Sequence, residues 1–215
     1  MAKIEVEHEN IFDYVRYVFS NLKNGFSEIE NAKYHHNSSY ENALSICRHG
    51  ILTIEDLKKI RDYSSEELLK LHDIRSHVNG CDAVSLSVVG LDDLYANELE
   101  YNAFNPNVVD FLITSDIIAY RNTRHYGNEY LSYGSISVDK IKSIDIRLLK
   151  LIKSLDKKPQ YEDISKVIQK YNYLRELAII IKELQLDIPI REMSGENCFL
   201  LDIEKFARTP QLILK

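Results

Sequence analysis

The chain contains no tryptophan, only three cysteines, and no apolar run near the roughly 20 residues a membrane helix requires. Cys47, Cys81 and Cys198 are far apart, odd in number and form no CxxC pair, which argues against a disulfide framework and a thiolate zinc site. The expected setting is a reducing cytosol. The first residues, MAKIEVEHEN, are charged and lack the apolar stretch of a secretory signal, so an unexported, cytoplasmic chain without a membrane anchor is expected. Excess positive charge is also missing: 33 acidic residues against 27 basic ones leave a formal charge of -6. A broad nucleic-acid-binding face built on phosphate neutralisation is therefore not expected, although one base could still enter an active site.

Familiar catalytic signatures are absent as well. No G-x-G-x-x-G, P-loop or G-x-S-x-G segment occurs, which removes motif support for Rossmann, phosphate-loop and hydrolase assignments. Seven histidines are present, but His72 and His77 are five apart, His35 and His36 face opposite sides of an extended segment, and no HExxH occurs. No metal site is expected.

With 215 residues, 45% of them hydrophobic, the chain can bury a core of its own. Ile11, Tyr14, Val15, Val18 and Phe19 have the spacing of one helical face, predicting a helix over Ile11 to Leu22. Lys33 to His36 reads as extended. Ser38 and Glu41 then have capping-box spacing, and Gly50 stands where a helix ends, predicting a helix from Tyr40 to His49. Thr53 with Asp56 and Ser64 with Glu67 mark two further short helices.

From Asp82 the texture becomes that of a sheet. Ala83 to Val89, Val108 to Thr114, Glu129 to Tyr133, Gly134 to Val138 and Ser143 to Ile146 are short, rich in β-branched or aromatic residues and separated by Gly, Asn and Asp. A long amphipathic helix from Tyr161 to Leu184 follows, with Ile164, Val167, Ile168, Tyr171, Leu174, Ala178, Ile181 and Leu184 at three- and four-residue steps. Ile188 to Ile190 and Phe199 to Ile203 have room for one or two more strands. The expected class is α+β.

The stretch Tyr34-His35-His36-Asn37-Ser38-Ser39-Tyr40-Glu41-Asn42-Ala43-Leu44-Ser45-Ile46, ending at His49-Gly50-Ile51, puts a histidine at the end of a strand and then opens a capped helix. A helix start of this kind receives polar or anionic groups well. The stretch resembles the first motif of ADP-ribosyltransferases of the histidine-glutamate type, a superfamily that includes diphtheria-toxin-like enzymes, poly(ADP-ribose) polymerases and DNA-modifying bacterial toxins. Counting back from Asn42, His36 falls on the family histidine and Ser38 on its Thr/Ser position. A second segment, Asn128-Glu129-Tyr130-Leu131-Ser132-Tyr133-Gly134-Ser135-Ile136, resembles the strand bearing the family's catalytic glutamate, with Ile141 as the last apolar position. Glutamate is depleted in strands unless it faces solvent or a site.

Between the two, Asp82-Ala83-Val84-Ser85-Leu86-Ser87 resembles the middle strand of that fold. It carries Ser85 and Ser87 on one face where histidine-type members often have a tyrosine. Gly127 stands where the two-acid enzymes place a second carboxylate, which argues against arginine-directed modification.

The resemblance implies an ADP-ribosyltransferase-like split sheet with flanking helices over 32–148. An N-terminal helical segment, 1–31, would precede it, and a helical C-terminal extension, 149–215, would pack on it. It also implies NAD as substrate, nicotinamide-ribose cleavage, and mono-ADP-ribosyl transfer to a macromolecular acceptor, protein or nucleic acid. In that reading Glu129 is catalytic, His36 holds the adenosine-side ribose, and Ser38, Ser85, Ser87 or the helix start orients the amide or the pyrophosphate. Tyr40 or Tyr120 stacks on nicotinamide, and Tyr120 to Tyr126 forms an acceptor-facing loop. A bacterial toxin or phage-defence role is implied, with an antitoxin as partner. Two other classes fit the sequence: a catalytically inactive nucleotide- or partner-binding relative, and a helical interaction protein built on the stripe from Ile164 to Leu184.

Overall fold

A computed structural model of the protein describes residues 2–7, 10–25, 29–60, 82–88, 108–123, 129–155, 160–194 and 197–215. Within them the chain is mixed α and β, with six helices and a mostly antiparallel, split sheet. The short helix expected at Ser64 lies outside the described residues. No helix among them is long and apolar enough to cross a membrane.

The local expectations for helices hold where a buried stripe or a cap enforces them. Helix α1, Ile11–Leu22, buries Ile11, Val15, Val18, Phe19 and Leu22, the three-and-four spacing of one face. Helix α2, Tyr40–His49, is capped by Ser39, whose Oγ accepts from the Asn42 amide at 3.1 Å. Ser38 was the expected cap, but strand β2, Ala32–Ser39, stays paired to Val108 through Ser39, so the chain leaves the strand one residue later. Helix α3, Ile54–Ile60, starts at Thr53, whose Oγ1 accepts from Asp56 N at 3.2 Å.

The strands after α3 are β3, Ala83–Val88, β4, Val108–Thr114, β5, Tyr120–Arg121, β6, Glu129–Tyr133, and β7, Ile141–Ile146. Expected Gly134 to Val138 is not a strand. Gly134 turns the chain at φ +91°, and Ile136 exchanges a pair of 2.8 Å backbone bonds with Ile51. Ser135 Oγ accepts from Thr53 N at 3.0 Å and donates to Asp56 at 2.5 Å. This segment is spent on holding the α2–α3 junction, and a 3-10 turn, Val138–Lys140, leads from it into β7.

The C-terminal third holds the expected helices and also strands near the two segments with room for them. Helices α4, Leu148–Leu155, and α5, Tyr161–Glu183, are present, and α5 buries Ile164, Val167, Ile168, Tyr171, Leu174, Ala178 and Ile181. Strands β8, Ile190–Ser194, and β9, Asn197–Leu200, then complete the main sheet itself, β8 pairing in parallel with β7. After a short helix α6, Ile203–Phe206, strand β10, Gln211–Leu214, pairs in parallel with β1, Lys3–Val6. Phe206 meets Phe19 and Tyr171 edge-on, with ring centroids 5.5 and 5.6 Å apart, locking α1, α5 and α6 together.

The main sheet runs β5-β6-β3-β2-β4-β7-β8-β9. Strand β2 pairs with β4 along its whole length, with one bulge, but among the described residues it pairs with β3 only at Tyr34↔Val88 and His35↔Ser87. That short ladder joins a β5-β6-β3 half to a β2-β4-β7-β8-β9 half. One face is apolar: Tyr34, Val109, Phe111, Ile113, Ile144 and Ile146 enter the common core with α2, α4 and α5.

The opposite face carries a buried polar row. Arg191 clamps Asp145 with Nε and Nη2 at 2.7 and 2.6 Å, Ser143 donates to the same carboxylate at 3.1 Å, and the neighbouring Asp110 accepts from His35 Nδ1 at 3.0 Å. Burial pushes the Asp145 carboxyl up from its ordinary range, and the Arg191 fork opposes that shift. On the core side Glu192, fully buried, accepts the Leu148 and Leu149 amides at 3.1 and 3.3 Å, placing a carboxylate at the start of α4.

Two stability outcomes follow from this frame. Gly50 has φ +82°, and a Cβ there would meet the Ile136 carbonyl oxygen at 2.2 Å. Gly50→Ala should lower the urea midpoint by at least the equivalent of roughly 1–3 kcal/mol of backbone strain, with displacement of the Ile136 bridge added to it. Arg191→Met leaves Asp145 beside Asp110 without its fork, and chemical unfolding should register a loss of about 3–5 kcal/mol. Arg191→Met with Asp145→Leu should recover much of that loss, because the unpaired buried charge is gone.

Candidate active site

Successive histidines on β2 leave the strand on opposite sides. His35 is buried, donates to Asp110 and pairs across the strand with Ser87. His36 lies across from Phe111 on the other side, half-buried, and its ring reaches Ser85. The β2–β3 ladder has stopped by this point, and the Ser85 carbonyl, facing β2, accepts from His36 Nδ1 at 2.9 Å. A carbonyl can only accept, so the proton is on Nδ1, and in the neutral ring Nε2 is the acceptor nitrogen.

The side chain of the same serine reaches the third strand. Ser85 Oγ donates to Glu129 Oε1 at 2.5 Å, and Asn122 Nδ2 donates to Glu129 Oε2 at 2.7 Å. The Asn122 amide also donates to the Glu129 carbonyl at 2.9 Å. Glu129 opens β6 half-buried, with Ser87 as its cross-strand partner. Among the described residues no Lys, Arg or His pairs with this carboxylate. Two neutral donors fix its orientation and leave its charge uncancelled, the condition for stabilising a developing cation.

Thus His36, Ser85 and Glu129 are joined by two hydrogen bonds through one residue, while strand alternation sets His35, Ser87 and Glu129 in a row on one face. The imidazole sharing that face by register is His35, which is 5% exposed and committed to Asp110. His36 comes to Ser85 from the far side, through the split between the strands.

The other expected residues fall in different surroundings. Ser38 is half-buried two residues beyond His36 on the same side of β2, across from Val109. Tyr120 is 60% exposed on edge strand β5, pairs with Leu131 and lies on Glu129's face, its ring 6.2 Å from that of Tyr133. Tyr40 is not placed to stack on a ligand: it is 4% exposed, its ring faces Lys170 of α5 at 5.2 Å, and burial pushes its hydroxyl up. As the first residue of a helix whose inner face packs on α5, it belongs to the core. Of the loop Tyr120 to Tyr126, Arg124, His125 and Tyr126 lie outside the described residues, as does Gly127.

Asn122 was not among the expected site residues. Its segment is expected as an acceptor-facing loop, and the only sequence signal for Asn122 is its place, seven residues before Glu129, where antiparallel pairing of β5 with β6 sets the two opposite each other. Cys47 offers no nucleophile, because burial pushes its thiol up to about 12. No three His, Cys, Asp or Glu side chains among the described residues come together as metal ligands. A recess of about 520 Å³ lies along α5, bordered by Arg48, Asn172, Arg175, Glu176 and Gln211, and includes none of the proposed site residues.

The chain matches no protein-family model, and no curated protein matches it in sequence.

Proposed function

We propose that the chain is an NAD-dependent mono-ADP-ribosyltransferase of the histidine-glutamate type, acting on a macromolecular acceptor. The observation that carries this reading is the double engagement of Ser85, with the His36 imidazole on its carbonyl and the Glu129 carboxylate on its hydroxyl. Three strands far apart in sequence meet there in the order the resemblance implies: histidine strand, middle strand, glutamate strand. A split α+β sheet of this kind supports the finer assignment of an ADP-ribosyltransferase-like fold.

Loss of nicotinamide leaves an oxocarbenium-like ribose, with the charge development of glycoside cleavage. Glu129 supplies the fixed negative charge that this cation needs and an acceptor for the 2′-hydroxyl. His36 presents Nε2 to the adenosine-side ribose hydroxyls. Ser85 holds Glu129 and so serves the carboxylate; Ser87 beside it and Ser38 near the start of α2 contribute polar contacts to the amide and the pyrophosphate. With Tyr40 in the core, Tyr120 is the aromatic residue left to stack on nicotinamide, since its ring is open and on Glu129's side. Gly127 in place of a second acid disfavours arginine as acceptor.

The test is release of nicotinamide and transfer of label from adenylate-labelled NAD into cell extract. Glu129→Gln should lower turnover by about 10²–10³-fold, the scale of losing one prearranged electrostatic contact. His36→Ala should raise the KM for NAD more than it lowers kcat, because it grips the non-reacting end. If instead His35→Ala, which shares Glu129's face, produces the KM effect and His36→Ala does not, the histidine assignment is exchanged. Wild-type protein that binds NAD without releasing nicotinamide would move the assignment to an inactive nucleotide-binding relative.

The cellular counterpart is a toxin of a toxin–antitoxin or phage-defence pair. Expression in a bacterial host should arrest growth, and Glu129→Ala should relieve the arrest. A host indifferent to the wild-type chain would remove this role.

A further inference from the structure

We infer that Asn122 is the positioning residue that makes Glu129 an effective electrostatic catalyst, an assignment that rests on the proposed NAD chemistry. Asn122 is 2% exposed, although the two residues before it, Tyr120 and Arg121, are exposed. A buried asparagine amide is costly unless its groups are bonded, and here Nδ2 is spent on Glu129 Oε2 at 2.7 Å while the backbone amide binds the Glu129 carbonyl at 2.9 Å. Both ends of the same glutamate are therefore gripped by one residue.

The consequence is geometric. A glutamate side chain turns about three bonds, and a single donor at one oxygen leaves the carboxylate free to swing about that contact. Ser85 on β3 and Asn122 just beyond β5 approach Oε1 and Oε2 from opposite neighbours of β6, so the plane and the reach of the carboxylate are both set. The chemistry of the donor matters equally. A lysine or arginine in this place would hold the carboxylate and cancel its charge, whereas an amide nitrogen only donates and adds no charge. Orientation is gained while the field at a cationic ribose is kept. Such preorganisation acts on the transition state and adds nothing to the ground-state grip on NAD.

The full chain is tested for nicotinamide release in steady state and in single turnover. Asn122→Leu removes both amide groups at similar volume; Asn122→Asp keeps shape and the backbone bond but turns the donor into an acceptor of like charge. Each should lower kcat by about 10- to 100-fold, with the KM for NAD within about two-fold of wild type, as expected for an interaction expressed only in the transition state. In a Glu129→Gln background the single-turnover rate should fall by less than about two-fold on adding Asn122→Leu, because a residue acting through Glu129 has nothing further to lose. Should Asn122→Leu fail to fold, Asn122→Asp decides. Unchanged kcat in Asn122→Asp, a rise in KM alone, or equal losses in the presence and absence of Glu129 would overturn the inference while the NAD reading stands. A wild-type chain that releases no nicotinamide would overturn both.

Discussion

Toward Ser85 the described ladder between β2 and β3 stops at His35↔Ser87, and most of what makes this molecule more than a packed α+β frame follows from that end. Had β2 and β3 paired to their ends, the Ser85 carbonyl would lie within the ladder and the His36 ring would point into the apolar face beside Phe111 and Val109. Instead the strands part after His35↔Ser87, and the imidazole satisfies the carbonyl that the missing ladder leaves over. A buried or half-buried carbonyl must find a donor somewhere. That requirement, met by a side chain, brings a histidine from one half of the sheet to a serine whose hydroxyl belongs to the other half.

The two sheet faces then divide the labour. One is continuous with the helices and, His36 and Ser38 apart, largely apolar, so most of its residues serve cohesion. The other carries His35, Asp110, Ser143, Asp145 and Arg191 at or below 8% exposure, a row of polar groups that buries charge only because each member is bonded. It runs along the same face as Ser87 and Glu129. A rigid polar platform beside the Glu129 carboxylate limits the drift of the strands that bear it, and that is how packing far from the proposed site bears on its geometry.

Much of the frame was legible in the sequence, and the reason is locality. The bounds of α1 and α2 and nearly those of α5 follow from apolar spacing and caps within one segment, and Val108–Thr114 and Glu129–Tyr133 read as strands because β-branched and aromatic residues fill them. What failed was set by distant partners. Ser135 and Ile136 look strand-like, yet their groups are claimed by Thr53, Asp56 and Ile51, so no strand forms. Strands β1 and β10 exist only because the two chain ends meet, and nothing in KIEV or QLIL announces the other. Among the residues of the proposed site, His36, Ser85 and Glu129 stand out by motif spacing and are hydrogen-bonded together, while Asn122 has no such signal, since its contact with Glu129 comes from a hairpin register. The choice between Tyr40 and Tyr120 was likewise not legible: the motif places Tyr40 at the helix start, while helix phase turns its ring toward α5.

An overall charge of -6 bears on a chain that is proposed to take a dinucleotide whose pyrophosphate is dianionic. The long-range field does not favour such a ligand, but at physiological salt it fades over about 8 Å. On the proposed reading recognition comes from short-range neutral donors and acceptors, and the described residues offer these: the His36 imidazole and serine hydroxyls, beside the Glu129 carboxylate held by Ser85 and Asn122. A cationic residue close enough to draw in the phosphates would also sit close enough to quench Glu129. Among the described residues no cation pairs with Glu129, which is consistent with the proposed task, because a carboxylate that is to meet a cation must reach the transition state with its own charge unspent.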